Sequence, residues 1–149
     1  MKTLYNIHIQ GGMEMRKYLI ISHNKLAEGM KDTVEFFVGE NKELYFINCY
    51  LDNEPVNEKL KRFTENLNVN DELIIFTDLI GGSVNQEAIK LLGKDKIHVI
   101  AGFNLALIVE VILLDASSNL IDEIPSIVEK AKKSICYMNT YKFEMEEED

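Results

Sequence analysis

The 149-residue sequence contains no tryptophan, two prolines, two cysteines and three histidines. Cys49 and Cys136 stand far apart and without metal-ligand spacing, which argues against a zinc site and against a disulfide-stapled scaffold. Two unpaired thiols in a reducing compartment is the reading adopted, with a single disulfide as its alternative. Basic residues are also scarce. Sixteen Lys and Arg face 25 Asp and Glu, for a formal net charge of -9 and a pI near 4.9. A phosphate-backbone binder needs a clustered basic surface, so no nucleic-acid partner is expected; a basic protein partner suits this charge better. Long hydrophobic runs are missing as well. The most apolar stretch, Leu105 to Leu114, is too short to span a bilayer and contains Glu110. No segment resembles a secretory signal, and a soluble, cytoplasmic protein is expected. Neither GxxxxGK[ST] nor GxGxxG occurs, which excludes a nucleotide P-loop and a dinucleotide fingerprint.

What is present fits one globular domain: 46% hydrophobic and 28% charged residues on a chain long enough for a core. Residues 1–14 precede Met15, a natural start, and read as a leader or appended extension. Residues 15–143 form the expected domain, and residues 144–149 an acidic, solvated tail. Within the domain, short apolar runs alternate with amphipathic ones. Tyr18–Ile21, Leu44–Ile47, Leu73–Phe76 and Ile97–Ala101 read as buried strands. Helical spacing is predicted for Leu26, Met30, Val34 and Phe37, for Val56, Leu60, Phe63 and Leu67 with Pro55 in the first turn, and for Val84, Ala88, Leu91 and Leu92. Further helices are predicted over Leu105–Leu114 and from Ile121 to about Met138, and a weak late strand at Tyr141-Lys142-Phe143.

This alternation predicts an α/β fold: a doubly wound, mostly parallel sheet of four or five strands with helices on both faces. In the flavodoxin-like order 2-1-3-4, the first and third strands are neighbours and their following helices leave to opposite sides. Chemistry gathers in the crevice between them, at the carboxyl ends of the strands. Two loops meet there. One is Ser22-His23-Asn24-Lys25; the other is Thr77-Asp78-Leu79-Ile80-Gly81-Gly82-Ser83.

An imidazole is a good nucleophile near neutral pH, and a phosphorylated ring nitrogen is a good leaving group afterwards. His23 therefore has the chemistry of a reversible phosphoryl acceptor, provided that an acceptor such as Asp78 holds its other nitrogen. Without Asp78, a satisfied loop histidine would be the better reading. Gly81, Gly82 and Ser83 open the third helix, where outward-pointing amides and a hydroxyl can seat a phosphoryl group; the alternative is turn-and-cap chemistry with Ser83 as N-cap. Asn104 reads as a helix cap. His98 and His8 read as structural or incidental, and Glu110 as solvent-facing or paired at a subunit contact. No metal ligand set is expected.

Three blocks carry a resemblance: Ile20-Ile21-Ser22-His23-Asn24-Lys25-Leu26-Ala27-Glu28-Gly29-Met30, then Asp78-Leu79-Ile80-Gly81-Gly82-Ser83-Val84-Asn85, then Val99-Ile100-Ala101-Gly102-Phe103-Asn104 with Leu107-Ile108-Val109-Glu110. Together, in this order, they resemble mannose-type enzyme IIA domains of the bacterial phosphoenolpyruvate-dependent sugar phosphotransferase system, over Met15 to about Met138. The resemblance implies a phosphotransferase component whose histidine is transiently phosphorylated. By this likeness His23 accepts phosphate from the phosphocarrier protein HPr and passes it to a IIB component, which serves a membrane IIC/IID complex. Asp78 would be the imidazole partner, and Ser83 with nearby amides would contact the phosphoryl group on the nitrogen remote from Asp78. A homodimer without metal, nucleotide or other cofactor is also implied. The chain departs from many relatives in having Val84 in place of proline and Asn24 in place of glycine. Both are expected to be tolerated, asparagine because it enters left-handed conformations readily. A phosphocarrier subunit of a dihydroxyacetone kinase and a non-catalytic regulatory module are the competing readings. A response-regulator receiver is disfavoured, since acids do not follow the first strand.

Overall fold

The computed structural model describes residues 15–41, 43–94 and 96–143. Its sheet has four parallel strands, β1 (Arg16–His23), β2 (Leu44–Cys49), β3 (Glu72–Thr77) and β4 (Ile97–Ala101), in the order β2-β1-β3-β4. The helices are α1 (Leu26–Val38), α2 (Val56–Glu65), α3 (Ser83–Ile89), α4 (Leu105–Ile112) and α5 (Leu120–Lys132). This is the doubly wound α/β fold expected from the alternating runs.

Successive strand side chains point to opposite faces, so a sheet covered on both sides needs continuous apolar strands. Tyr18, Ile20, Ile74 and Phe76 face one side and pack with α1, α4 and α5 through Val34, Ile108, Val111 and Ile127. Leu19, Ile21, Leu73 and Ile75 face the other and pack with α2 and α3 through Val56, Leu60, Val84 and Ala88. Each fully buried side chain of this size contributes about 1.5–3 kcal/mol, so the strands fix the frame on which the loops are mounted. Helices α1 and α3, which follow neighbouring strands, lie on opposite faces.

Several expected details differ. The buried stripe of α1 runs through Ala27 and Val34, with Met30 and Val38 partly buried; Leu26 and Phe37 sit outside it and are exposed. Pro55 is the N-cap residue of α2, one place ahead of the first turn. Leu91 and Leu92 lie beyond the end of α3, and α4 stops at Ile112, before Leu114. Helix α5 ends at Lys132, short of Met138. There Ser134 donates through both its amide and its hydroxyl to the Ala131 carbonyl, and the Cys136 thiol donates to that of Lys133. Side chains thus take the last-turn carbonyls that another turn would have used. Tyr141, Lys142 and Phe143 join no strand among the described residues. Residues 1–14, with His8, and 144–149 lie outside the described residues, as do the expectations made for them.

The two thiols are unpaired, Cys49 buried and Cys136 exposed. Burial pushes the Cys49 thiol up to about 11, against an opposing pull from Lys59. At pH 8, a thiol reagent is expected to modify Cys136 rapidly and Cys49 on the order of a hundredfold more slowly, because only the thiolate reacts and Cys49 must first be exposed. Equal rates followed by mass spectrometry would contradict this packing. No helix among the described residues is long and apolar enough to cross a membrane.

Candidate active site

His23 closes β1, paired in register with Cys49 of β2, and Asp78 follows the last residue of β3. The parallel ladder therefore brings both to the same edge of the sheet. The loop after His23 turns sharply: Asn24 adopts φ 52 and donates its amide to the Cys49 carbonyl at 2.9 Å. Asparagine tolerates this left-handed backbone better than most residues. The start of α1 is held from outside the helix. Buried Ser22 accepts the Ala27 amide at 2.7 Å, and Asn48 Oδ1 accepts that of Glu28 at 3.3 Å.

Asp78 Oδ2 accepts the backbone N–H of His23 at 2.8 Å and faces ring Nδ1 at 2.7 Å, while Oδ1 accepts the Leu79 amide at 2.9 Å. Burial by itself would push this carboxyl up. The hydrogen bonds from the His23 backbone and ring, attraction to a charged imidazole and the Leu79 amide outweigh burial and hold it below the usual carboxylate range. An ionised carboxylate can only accept, so Nδ1 carries a proton, and in the neutral ring the lone pair is then on Nε2. Nε2 lies 3.2 Å from Ser83 Oγ. The Asp78 side chain is 6% exposed and that of His23 39%, so the carboxylate lies beneath a partly exposed ring.

The second loop is shaped by its glycines and by a buried asparagine. Gly81 has φ +73, a backbone that glycine adopts without strain. Its amide donates to Asn85 Oδ1 at 3.0 Å, and Asn85 Nδ2 donates to Thr77 Oγ1 at 2.9 Å, which ties the turn to the end of β3. The Gly82 amide donates to the Leu79 carbonyl at 3.1 Å. A Cβ on Gly82 would crowd that oxygen at 3.2 Å and the Leu79 Cβ at 3.3 Å, so a bare backbone lets the turn close on Leu79; His23 Cε1, at 3.7 Å, lies at ordinary contact distance. Gly82 is the N-cap of α3 and makes no side-chain cap; Ser83 is the first helical residue and turns its hydroxyl to His23. Val84 thus stands at the second helical position, fully buried, where its side chain fills the core between α3 and the sheet.

Tyr50 is the member of this site that sequence reasoning missed. It follows β2, stacks on the imidazole with centroids 5.2 Å apart and planes 23° apart, and donates its hydroxyl to Ser83 Oγ at 2.6 Å. The available signal was the pairing of β2 beside β1, which puts the residue after Cys49 next to His23. The other singled-out residues serve structure. Asn104 caps α4 by accepting the Leu107 amide at 2.9 Å. His98 faces Glu72 at 3.1 Å, and Glu110 accepts from Lys130 of α5 at 3.0 Å. Among the described residues no group of three or more His, Cys, Asp or Glu could hold a metal ion.

A partly exposed imidazole thus stands at the switch point of a doubly wound sheet with Nδ1 held on a carboxylate beneath it, the arrangement of an α/β protein whose chemistry sits on a histidine-aspartate pair. Residues 17–129 match the family model described as the PTS system fructose IIA component, EIIA-man. The chain belongs to this family, the mannose-type IIA components of the sugar phosphotransferase system. Solved structures agree. A Klebsiella pneumoniae protein assigned as a phosphoenolpyruvate-dependent sugar phosphotransferase system permease is 30% identical, with a TM-score of 0.80 over 87% of this chain and 95% of that one. The PTS IIA protein associated with the fucose utilization operon of Streptococcus pneumoniae is 31% identical, with a TM-score of 0.72 over 85% and 95%. The mannose/sorbose-specific IIA subunit from Enterococcus faecalis, 19% identical with a TM-score of 0.70 over 88% and 99%, shares the fold. No curated protein sequence matches this chain. Membership of the family gives the chain a part in sugar phosphotransfer.

Proposed function

We propose that the chain is a phosphohistidine carrier, with His23 accepting a phosphoryl group from phospho-HPr and passing it to a IIB component. The observation that carries this reading is the 2.7 Å contact of Nδ1 with Asp78, which supports a ring whose attacking lone pair is on Nε2 and whose developing positive charge is balanced. The lone pair of Nε2 forms the new bond to phosphorus while the bond from phosphorus to the donor's ring nitrogen breaks, its electron pair returning to the donor. Nδ1 keeps its proton throughout. Within the loop of Gly81, Gly82 and Ser83 the Ser83 hydroxyl is the group nearest to the transferred phosphoryl; the Gly81 and Gly82 amides are already held by Asn85 and Leu79, and the two glycines shape the backbone around it. Transfer onward to a nucleophile of the IIB component breaks the bond from phosphorus to Nε2 and returns its electron pair to the ring, and through IIB the group reaches a sugar entering by the membrane IIC/IID complex.

Exposed Tyr50, Leu51, Leu79 and Ile80 rim His23 and suit docking of a protein rather than a small polar substrate. Operation in the cytoplasm and as a homodimer belongs to the same proposal. Likeness near 30% identity to two proteins of sugar phosphotransferase systems favours sugar transport over a dihydroxyacetone kinase as the pathway. Incubating the chain with phosphoenolpyruvate, enzyme I and HPr is expected to add one acid-labile phosphoryl group by intact-protein mass spectrometry. A chain that stays unmodified while HPr is fully phosphorylated refutes the proposal.

A further inference from the structure

Tyr50 has a backbone φ of 66, a left-handed conformation that an aromatic residue holds only when its surroundings impose it. The surroundings do so from both sides. Ahead of it, the Cys49 carbonyl is held by the Asn24 amide at 2.9 Å. Behind it, the buried Lys59 ammonium brackets the turn, donating to the Asn48 carbonyl at 3.1 Å and to Asp52 Oδ2 at 3.0 Å. A strained residue clamped in this way beside a nucleophile marks a constraint that the fold maintains for a purpose.

For a neutral His23 ring, the state that can attack, the hydrogens along the site run in one direction. Asp78 accepts from Nδ1, so Nε2 can only accept, and the proton on Ser83 Oγ points to it across 3.2 Å. Ser83 Oγ then receives the Tyr50 hydroxyl proton at 2.6 Å. In the resting protein this chain of donors closes off the Nε2 lone pair. Phosphorus must approach along that lone pair, so the Ser83 hydroxyl has to turn aside. Two hydroxyls then flank the position where anionic phosphoryl oxygens arrive, and each loses its present acceptor as they do. The ring of Tyr50, lying over the imidazole, keeps Nε2 aimed at that position.

We propose that Tyr50 is part of the phosphoryl site of this chain: its ring orients the His23 imidazole, and its hydroxyl passes from Ser83 to a phosphoryl oxygen once Nε2 is occupied. This rests on the reading of His23 as phosphoryl acceptor, and adds a residue from a third loop, after β2, to the two that the switch point supplies. No proton is gained or lost in the exchange; one hydroxyl trades a neutral acceptor for a charged one, which is the stronger bond.

The test measures phosphoryl exchange with phospho-HPr at equilibrium for the parent chain, Tyr50→Phe and Tyr50→Leu, beside heteronuclear NMR of the His23 ring. Tyr50→Phe keeps the stacked ring and the strained backbone and removes only the hydroxyl. It is expected to lower the exchange constant about tenfold, the effect of one hydrogen bond to a charged group, while the Nδ1–H tautomer stays unchanged. Tyr50→Leu is expected to lower it further and to broaden the ring signals, because nothing then lies over the imidazole. A parent chain that accepts no phosphoryl group overturns the reading of His23 and this proposal with it. A labelled parent with Tyr50→Phe at the same exchange constant overturns the role of Tyr50 alone. Should Tyr50→Leu fold poorly, Tyr50→Phe still decides the matter.

Discussion

His23→Ala is expected to abolish phosphoryl uptake and leave the fold as it is. The backbone bond from residue 23 to Asp78 Oδ2 at 2.8 Å survives the substitution, since it uses the amide. The imidazole is more than a third exposed, so its removal opens no cavity and water can reach the vacated oxygen. The cost in stability should therefore stay near 1 kcal/mol, that of one partly exposed hydrogen bond. No other group takes over the chemistry. Ser83 is a weak nucleophile without a base, and the base within reach is the imidazole that has been removed. Asp78 is buried, and both its oxygens are engaged by amides. Intact-protein mass spectrometry with the phosphoenolpyruvate, enzyme I and HPr chain should show no gain, with circular dichroism matching the parent. Undiminished acid-labile labelling of the variant would remove His23 from the site. A label cleaved by hydroxylamine would point to an acyl phosphate on Asp78.

How much of this site the sequence carries depends on the range over which each contact is set. The strands are legible because a doubly covered parallel sheet demands unbroken apolar runs, and Leu73–Phe76 has no other use. Right-handed crossovers narrow the strand orders, and in the flavodoxin-like one expected here His23 and Asp78 meet across 55 residues. Asn104 is legible as a cap since the acceptor and its amide are three residues apart. Tyr50 is not legible in this way. Its position depends on the register that sets Cys49 beside His23 and on Lys59 reaching back to the turn, neither of which leaves a local pattern. The same holds for Asn85, whose two bonds to Gly81 and Thr77 are made within the fold. Phe37 misleads for the opposite reason. It has the helical spacing of a core residue, but α1 lies on the sheet through Ala27 and Val34, and the ring remains outside.

Asp78→Asn is expected to leave the acceptor nitrogen in place and yet slow transfer on the order of a thousandfold, in line with the ~10⁴ loss for the comparable change in a serine protease triad. Asp78 accepts on both oxygens, from two His23 donors on Oδ2 and from Leu79 on Oδ1. An amide has one oxygen. With that oxygen turned to His23, its NH₂ faces the Leu79 N–H, two donors against each other. With the amide flipped, the NH₂ faces His23, and the ring accommodates it only by moving its proton from Nδ1 to Nε2. That tautomer has no lone pair with which to attack phosphorus. Even in the first orientation a neutral amide cannot balance the positive ring that forms with the new bond. Rapid-quench measurement of transfer from phospho-HPr gives the rate, and NMR of the ring gives the tautomer; a variant that transfers at the parent rate with Nδ1 protonated refutes the role of Asp78. The substitution should also flatten the acid limb of stability. A carboxyl held below its ordinary value of 3.8 in the folded chain contributes stability in full above that pH and loses it as pH falls through the lower folded value. The parent should thus gain more stability than the variant between about pH 2 and pH 5 in thermal melts, a difference that vanishes if Asp78 is not ionised against His23.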